Sequence, residues 1–268
     1  MLHTTRIGDG EPRLMFLHGF LGQGKNWTTV ARGLAPLGAS ILVDLPNHGR
    51  SDWTEDFSYA DMADSVAELV RAERGSDPFT LVGHSMGGKV AMAVALRHPD
   101  LLDGLVVVDI SPDDSGEGYG FGTIIAALQA VPAASLTHRK EADAALRDSG
   151  VADAGVRQFL LQSLRHRPEG GFGWQFNLDM LARSLPQVSG WPDVLDGRYD
   201  RPVLWVRGAR SDYVTEANYP QMMRLFPQTA LLTVQDAGHW VHSEQPQAVI
   251  EGLRNFLLAE QLATDPGA

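Results

Sequence analysis

Short apolar runs stopped by turn residues alternate with amphipathic stretches along the first 112 residues. Arg13–His18 (RLMFLH) stops at Gly19, and Ser40–Leu45 (SILVDL) stops at Pro46. Phe79–Gly83 (FTLVG) runs into a glycine-bearing turn, and Leu105–Ile110 (LVVVDI) stops at Ser111-Pro112. Runs this short, rich in β-branched residues and bounded by turn formers, suit buried parallel strands. Helical patterns lie between them. Tyr59–Arg74 sets Met62, Val66, Leu69 and Val70 on one face with acidic residues opposite, and Gly88–His98 is Ala-rich and apolar, as befits a helix packed on a sheet. Repeated strand–helix–strand order predicts a mostly parallel sheet covered on both faces.

The rhythm breaks from Asp113 to Tyr199, a stretch rich in Ala, Leu, Arg and Asp with helical spacing and no convincing strand. Gly170-Gly171 and prolines at 132, 168, 186 and 192 punctuate it, so it reads as a helical insertion. Strand-like runs resume at Pro202–Arg207 (PVLWVR) and Ala230–Val234 (ALLTV). A last amphipathic helix is expected over Gln247–Glu260, with a frayed tail over Gln261–Ala268.

A chain of 268 residues that is 44% hydrophobic can bury a substantial core. Its formal net charge of -11 disfavours association with nucleic acid or anionic membranes through bulk charge. There are no cysteines, which rules out disulfides and thiolate chemistry and fits a reducing compartment. Met1 to Gly10 lack a basic stretch followed by an apolar core, and no apolar run approaches the roughly 20 residues that span a bilayer. The expectation is a cytoplasmic protein, a monomer or homodimer, acting on a small molecule.

The strongest chemical signal is Gly83-His84-Ser85-Met86-Gly87, a G-x-S-x-G turn with a strand before it and a helix after it. A sharp strand-to-helix turn lifts the Ser85 hydroxyl clear of the sheet and points a helix N-terminus at the reacting centre. A serine hydroxyl needs a base, and His239 in Ala237-Gly238-His239-Trp240 follows the last strand-like run. With strands about 4.8 Å apart, a loop three strands from the turn can reach it. His242 is the nearby competitor, read as structural or solvated. The oxyanion donors expected are the N–H groups of Met86 and of Phe20, in the His18–Gly22 loop, where His18 is read as structural. No metal-ligand spacing or cofactor motif accompanies these residues.

HGFLG at 18–22, DLPNHGRS at 44–51, GHSMGG at 83–88, VVDISP at 107–112 and AGHWVH at 237–242 occur in that order. Together they resemble the α/β-hydrolase superfamily over nearly the whole chain, and VDISP and GHWVH resemble its branch of small bacterial and mitochondrial esterases and acyl-thioesterases. The resemblance implies an α/β fold with an eight-stranded, mostly parallel sheet flanked by helices. It also implies a core at 1–112 and 200–268, with a helical cap at 113–199 between strands six and seven. The customary position of the triad acid, after strand seven, holds Ser211, with Asp212 one residue late. Asp109, at the end of strand six, is the alternative that the look-alike branch uses. Asp109 is favoured here and Asp212 stays open. Asp44 is read as a brace for the Asn47-His48-Gly49 turn.

The expected activity is hydrolysis of small to medium acyl esters or thioesters through an acyl-enzyme, with no cofactor. A cofactor-free haloperoxidase or a C–C bond hydrolase would use the same triad, and a non-catalytic binding protein would use only the scaffold. Ser85 excludes the dehalogenase and epoxide-hydrolase chemistries that need a carboxylate nucleophile there. Leu21, Phe121, Ile124, Trp174 and Trp240 are the main candidates to line the acyl pocket, with Leu128, Phe159 and Phe176 beside them. Arg165, Arg167 and Arg183 are available to an anionic leaving group such as coenzyme A.

Overall fold

The computed structural model describes residues 1–114, 120–192 and 195–264. β1 (His3–Ile7), β2 (Pro12–Leu17), β3 (Ala39–Asp44), β4 (Thr80–His84) and β5 (Gly104–Val108) come from the first half of the chain. A hairpin of β6 (Leu164–His166) and β7 (Phe172–Trp174) follows, and β8 (Val203–Gly208) and β9 (Thr229–Val234) close the set. Seven of these strands make one sheet in the order β1-β3-β2-β4-β5-β8-β9. Only β1 runs antiparallel to its neighbour.

Period-two side-chain alternation splits the core in two. Met15, Leu17, Ile41, Val43, Leu81, Val107 and Trp205 point to one face, and Leu14, Phe16, Leu42, Val82, Val106 and Val108 to the other. The first face packs against α2 (Tyr59–Glu73) and α3 (Met86–Arg97). The second packs against α1 (Thr28–Leu34) and the C-terminal helix Pro246–Thr264. Both faces being covered is why the strands read as continuous apolar runs rather than alternating ones.

Between β5 and β8 the chain forms α4 (Phe121–Ala130), α5 (Arg139–Asp148), α6 (Ala154–Leu161), α7 (Leu178–Arg183) and α8 (Leu185–Ser189). This excursion is tied to the β3–α2 segment: Gly49 N–H donates to Gln175 O at 2.6 Å, Asn177 N–H to Asn47 O at 2.9 Å, and Tyr59 Oη to Val188 O at 2.7 Å. α9 (Tyr219–Leu225), α10 (Val241–Glu244) and α11 (Pro246–Thr264) complete the order.

Three expectations change. The main sheet has seven described strands rather than eight, because a single antiparallel strand precedes β2, and the excursion therefore follows the fifth strand of the sheet. The excursion is not purely helical: β6 and β7 pair antiparallel, three residues each, too short to leave a period in the sequence. The last helix begins at Pro246 and continues to Thr264, and 265–268 of the tail expected to fray lie outside the described residues, as do 115–119 and 193–194 of the insertion.

Candidate active site

The registers Leu17↔Gly83, His84↔Val108, Val108↔Val206 and Gly208↔Val234 bring the carboxyl ends of β2, β4, β5, β8 and β9 to one edge of the sheet. Loops leaving such an edge are where open α/β sheets place their sites. Every residue singled out for the chemistry lies on one of those loops.

Ser85 stands between β4 and α3 at φ 52°, ψ -122°, a conformation that a residue with a side chain rarely adopts. Its amide is held by Val108 O at 3.0 Å. The flanking glycines are obligatory on steric grounds. A Cβ on Gly83 would lie 2.2 Å from Gly87 O, and one on Gly87 would lie 2.4 Å from His18 O. Met86 is the first residue of α3, so its N–H precedes the helix's own hydrogen-bonding.

Asp109 repeats the strain one strand over, at φ 52°, and is fully buried. Its amide is pinned to Val206 O at 2.8 Å. Its carboxylate accepts from three donors: Gly208 N–H at 2.9 Å, His239 Nδ1 at 2.8 Å, and the Ser211 hydroxyl. A carboxylate facing Nδ1 fixes the proton there and leaves Nε2 as the basic nitrogen of His239. Asp212 is exposed, so the structure brings Asp109 and not Asp212 to the imidazole. Ser211, one residue before Asp212, meets the Asp109 carboxylate through its hydroxyl.

The His239 ring is held on several sides. Tyr213 stacks on it at 3.7 Å and 16°, Trp240 meets it edge-on at 5.6 Å, and His84 lies 4.7 Å away. His84 Nε2 also donates to His239 O at 2.8 Å, so the residue before Ser85 anchors the backbone of His239. His242 is buried, stacked on Trp27 at 4.3 Å and 4.6 Å from His84.

Phe20 and Met86 both line the cavity that contains Ser85, together with Tyr59, Lys89, Ile110, Phe121, Val188, Ser189 and Tyr213. The Phe20 loop is set by two buried histidines. His18 donates from Nδ1 to Gly19 O at 2.8 Å and accepts from Leu45 N–H at 2.9 Å. His48 donates from Nδ1 to Pro46 O at 2.9 Å and accepts from Leu21 N–H at 3.2 Å. Each ring uses one nitrogen as donor and one as acceptor, which only neutral imidazole can do. Burial holds His18 down to about 4, and burial with the neighbouring His18 holds His48 down to about 3. Burial also lowers His84 well below its usual value and His242 to about 3. Asp44 braces the next turn, accepting from Gly24 N–H at 2.8 Å and Arg50 N–H at 2.9 Å.

The pocket candidates separate. Phe121 lines the Ser85 cavity and packs edge-on against Phe20 at 5.1 Å. Trp240 and Phe159 border a different groove, beside His239 and α6. Leu21, Leu128 and Phe176 are buried in the core, Ile124 packs partly buried against it, and Trp174 stacks on Phe176 at 5.4 Å. Arg165 donates to Gln162 O at 2.7 Å, at the end of α6. The contacts of His48, His84 and Tyr213 are not assigned by the sequence. His84 carried one signal, its place inside the G-x-S-x-G turn, whereas His48 and Tyr213 act through contacts distant in sequence.

Among the described residues no cluster of three or more His, Asp or Glu could hold a metal ion, and no helix is long and apolar enough to cross a membrane. The family model for the alpha/beta hydrolase fold matches residues 12–246. The mouse sn-1-specific diacylglycerol lipase ABHD11 is 41% identical over 258 residues, covering 93% of this chain and 83% of that protein. Esterase YbfF of Escherichia coli K12 is 34% identical, covering 95% and 96%. Among solved structures, a marine microorganism esterase superposes with a TM-score of 0.90 at 32% identity, over 95% of this chain and 98% of that one. The chain belongs to the alpha/beta hydrolase fold family.

Proposed function

We propose that this protein is a serine ester hydrolase in which Ser85, His239 and Asp109 act as one acyl-transfer unit. The observation that carries the reading is the 2.8 Å bond from His239 Nδ1 to a buried Asp109 carboxylate, on the same sheet edge as the strained Ser85 turn. Relatives named as esterases and as a diacylglycerol lipase support ester bonds as the target.

Ser85 Oγ attacks the ester carbonyl as His239 Nε2 takes its proton. Asp109 holds the tautomer and stabilises the imidazolium that forms. The N–H groups of Phe20 and Met86 receive the developing oxyanion at the N-terminus of α3. His239 then protonates the departing alkoxide, and water attacks the acyl-enzyme with His239 again as base. Residues 113–199 serve as a cap that supplies the acyl wall through Phe121, Val188 and Ser189. The absence of cysteine supports a cytoplasmic setting.

The test is labelling with a fluorophosphonate followed by peptide mapping. The reading expects one adduct, on Ser85, abolished by Ser85→Ala. An unlabelled but folded wild-type protein would point instead to a binding protein on this scaffold.

A further inference from the structure

Lys89 takes no part in the chemistry above, yet it lies one helical turn after Ser85 and is 1% exposed. Burying an ammonium group costs several kcal/mol unless it is well paired. A methionine would fill the same space without that cost, so the charge calls for a reason. Its Nζ donates to Ser189 O at 2.6 Å and to Gly190 O at 2.9 Å, the carbonyls that end α8. Tyr59, on α2, donates its hydroxyl to Val188 O at 2.7 Å, and its ring lies 6.0 Å from the ammonium. Three successive carbonyls at the C-terminal end of α8, those of Val188, Ser189 and the capping Gly190, are thus gripped by two donors of the hydrolase core.

The gripped turn stands between two cavities. The one at Ser85 has about 10 Å³ of free space, room for one water-sized guest. The other has about 480 Å³ and is lined by Phe121, Leu185, Pro186 and Ser189, with Asp114 and Thr123 adding polar atoms. Phe121 and Ser189 border both. The larger volume falls within the range of about 300–1,000 Å³ usual for small-molecule sites.

We propose that the larger cavity is the site for the aliphatic acyl chain of the substrate, and that the Lys89–Tyr59 clasp on α8 sets how long a chain passes from Ser85 into it. The proposal rests on the ester-hydrolase reading. With the clasp closed, the Phe121–Ser189 partition keeps the acyl chain short; with it loosened, the partition gives way and longer chains enter. Lys89 is a specificity-determining residue and touches no reacting atom. Among the described residues, the charged and titratable groups around it include Asp113 and Asp114 after β5 and Tyr59 on α2, with Ser85 across the cavity. The two aspartates favour its protonated form, while burial lowers its pKa to about 8. Burial pushes Tyr59 far above its usual value, so it stays neutral while Lys89 titrates. Losing the ammonium proton weakens charge-assisted bonds to the carbonyls.

The experiment measures kcat/KM for p-nitrophenyl octanoate and p-nitrophenyl acetate and reads their ratio, in which any pH effect common to both esters cancels. Wild type, Lys89→Met and Lys89→Arg are compared, and wild type is also read at about pH 7 and about pH 9.5. The clasp predicts an octanoate-to-acetate ratio raised about tenfold in Lys89→Met, a ratio near wild type in Lys89→Arg, and a rise in wild type at the higher pH. A Lys89→Met enzyme that turns over both esters with an unchanged ratio overturns it. If Lys89→Met does not fold, a wild-type ratio that is flat across that pH span overturns it equally. Wild type that hydrolyses neither ester overturns the ester-hydrolase reading and the acyl-site assignment with it. An active wild type with an unchanged ratio removes the clasp alone.

Discussion

The two halves of this site are held by different physics. On the sheet edge, Ser85, Asp109 and the Leu21 turn sit at positive φ, with amides and carboxylates fixed by backbone bonds from neighbouring strands. On the excursion side, the wall over Ser85 is made of side chains and one short helix, packed on the core and tied to it by Lys89, Tyr59 and loop bonds. Strained backbone persists only where its surroundings over-determine it. A wall of side chains can be recut without disturbing the sheet. The comparison teaches that the strained backbone of this site lies at strand ends, whereas the wall over Ser85 is built of packed side chains.

Substitutions on the two halves should therefore differ in kind. Ser85→Ala removes the nucleophile and should lower kcat for a short ester by on the order of 10⁶, read in a p-nitrophenyl acetate assay. A loss below tenfold would break the sheet-edge half of the comparison.

Acid should attack the sheet edge next. His18, His48, His84 and His242 are buried neutral, with values below that of the unfolded chain. The unfolded state then binds more protons below about pH 6.5, so stability falls as pH drops towards about 4. Thermal melts across that window should show a steep fall, while melts from about pH 7 to 8 stay level with respect to these four groups.

Tyr213→Leu removes the ring stacked on His239 and should lower kcat by about tenfold. An unchanged kcat with a normal melt would reduce Tyr213 to packing. The smallest effect belongs to the wall. Phe121→Ala should leave turnover of acetyl esters within about threefold and change mainly the dependence of KM on acyl length.

The sequence carried the parts of this picture that follow from local pattern. β2, β3, β4, β5, β8 and β9 announce themselves as apolar runs, because both faces of the sheet are covered. Ser85 announces itself because the elbow has no room for a Cβ at Gly83 or Gly87. The acid was not decided there, since Asp109 and Asp212 differ only in how the turn after β8 folds. The hairpin Leu164–Trp174 was invisible at three residues per strand. Trp174 and Ile124 looked like pocket residues because size and apolarity do not say which way a side chain faces. Lys89 leaves no local signature, since its partners are carbonyls about a hundred residues away.

The central claim is that the imidazole of His239 draws its charge partner from the end of β5. It is tested most directly by kcat/KM for p-nitrophenyl acetate in Asp109→Asn beside Asp212→Asn, with both folds checked by circular dichroism. The account predicts a loss on the order of 10³–10⁴ for Asp109→Asn and a change within about twofold for Asp212→Asn. A severe loss at Asp212 with Asp109→Asn near wild type would contradict it.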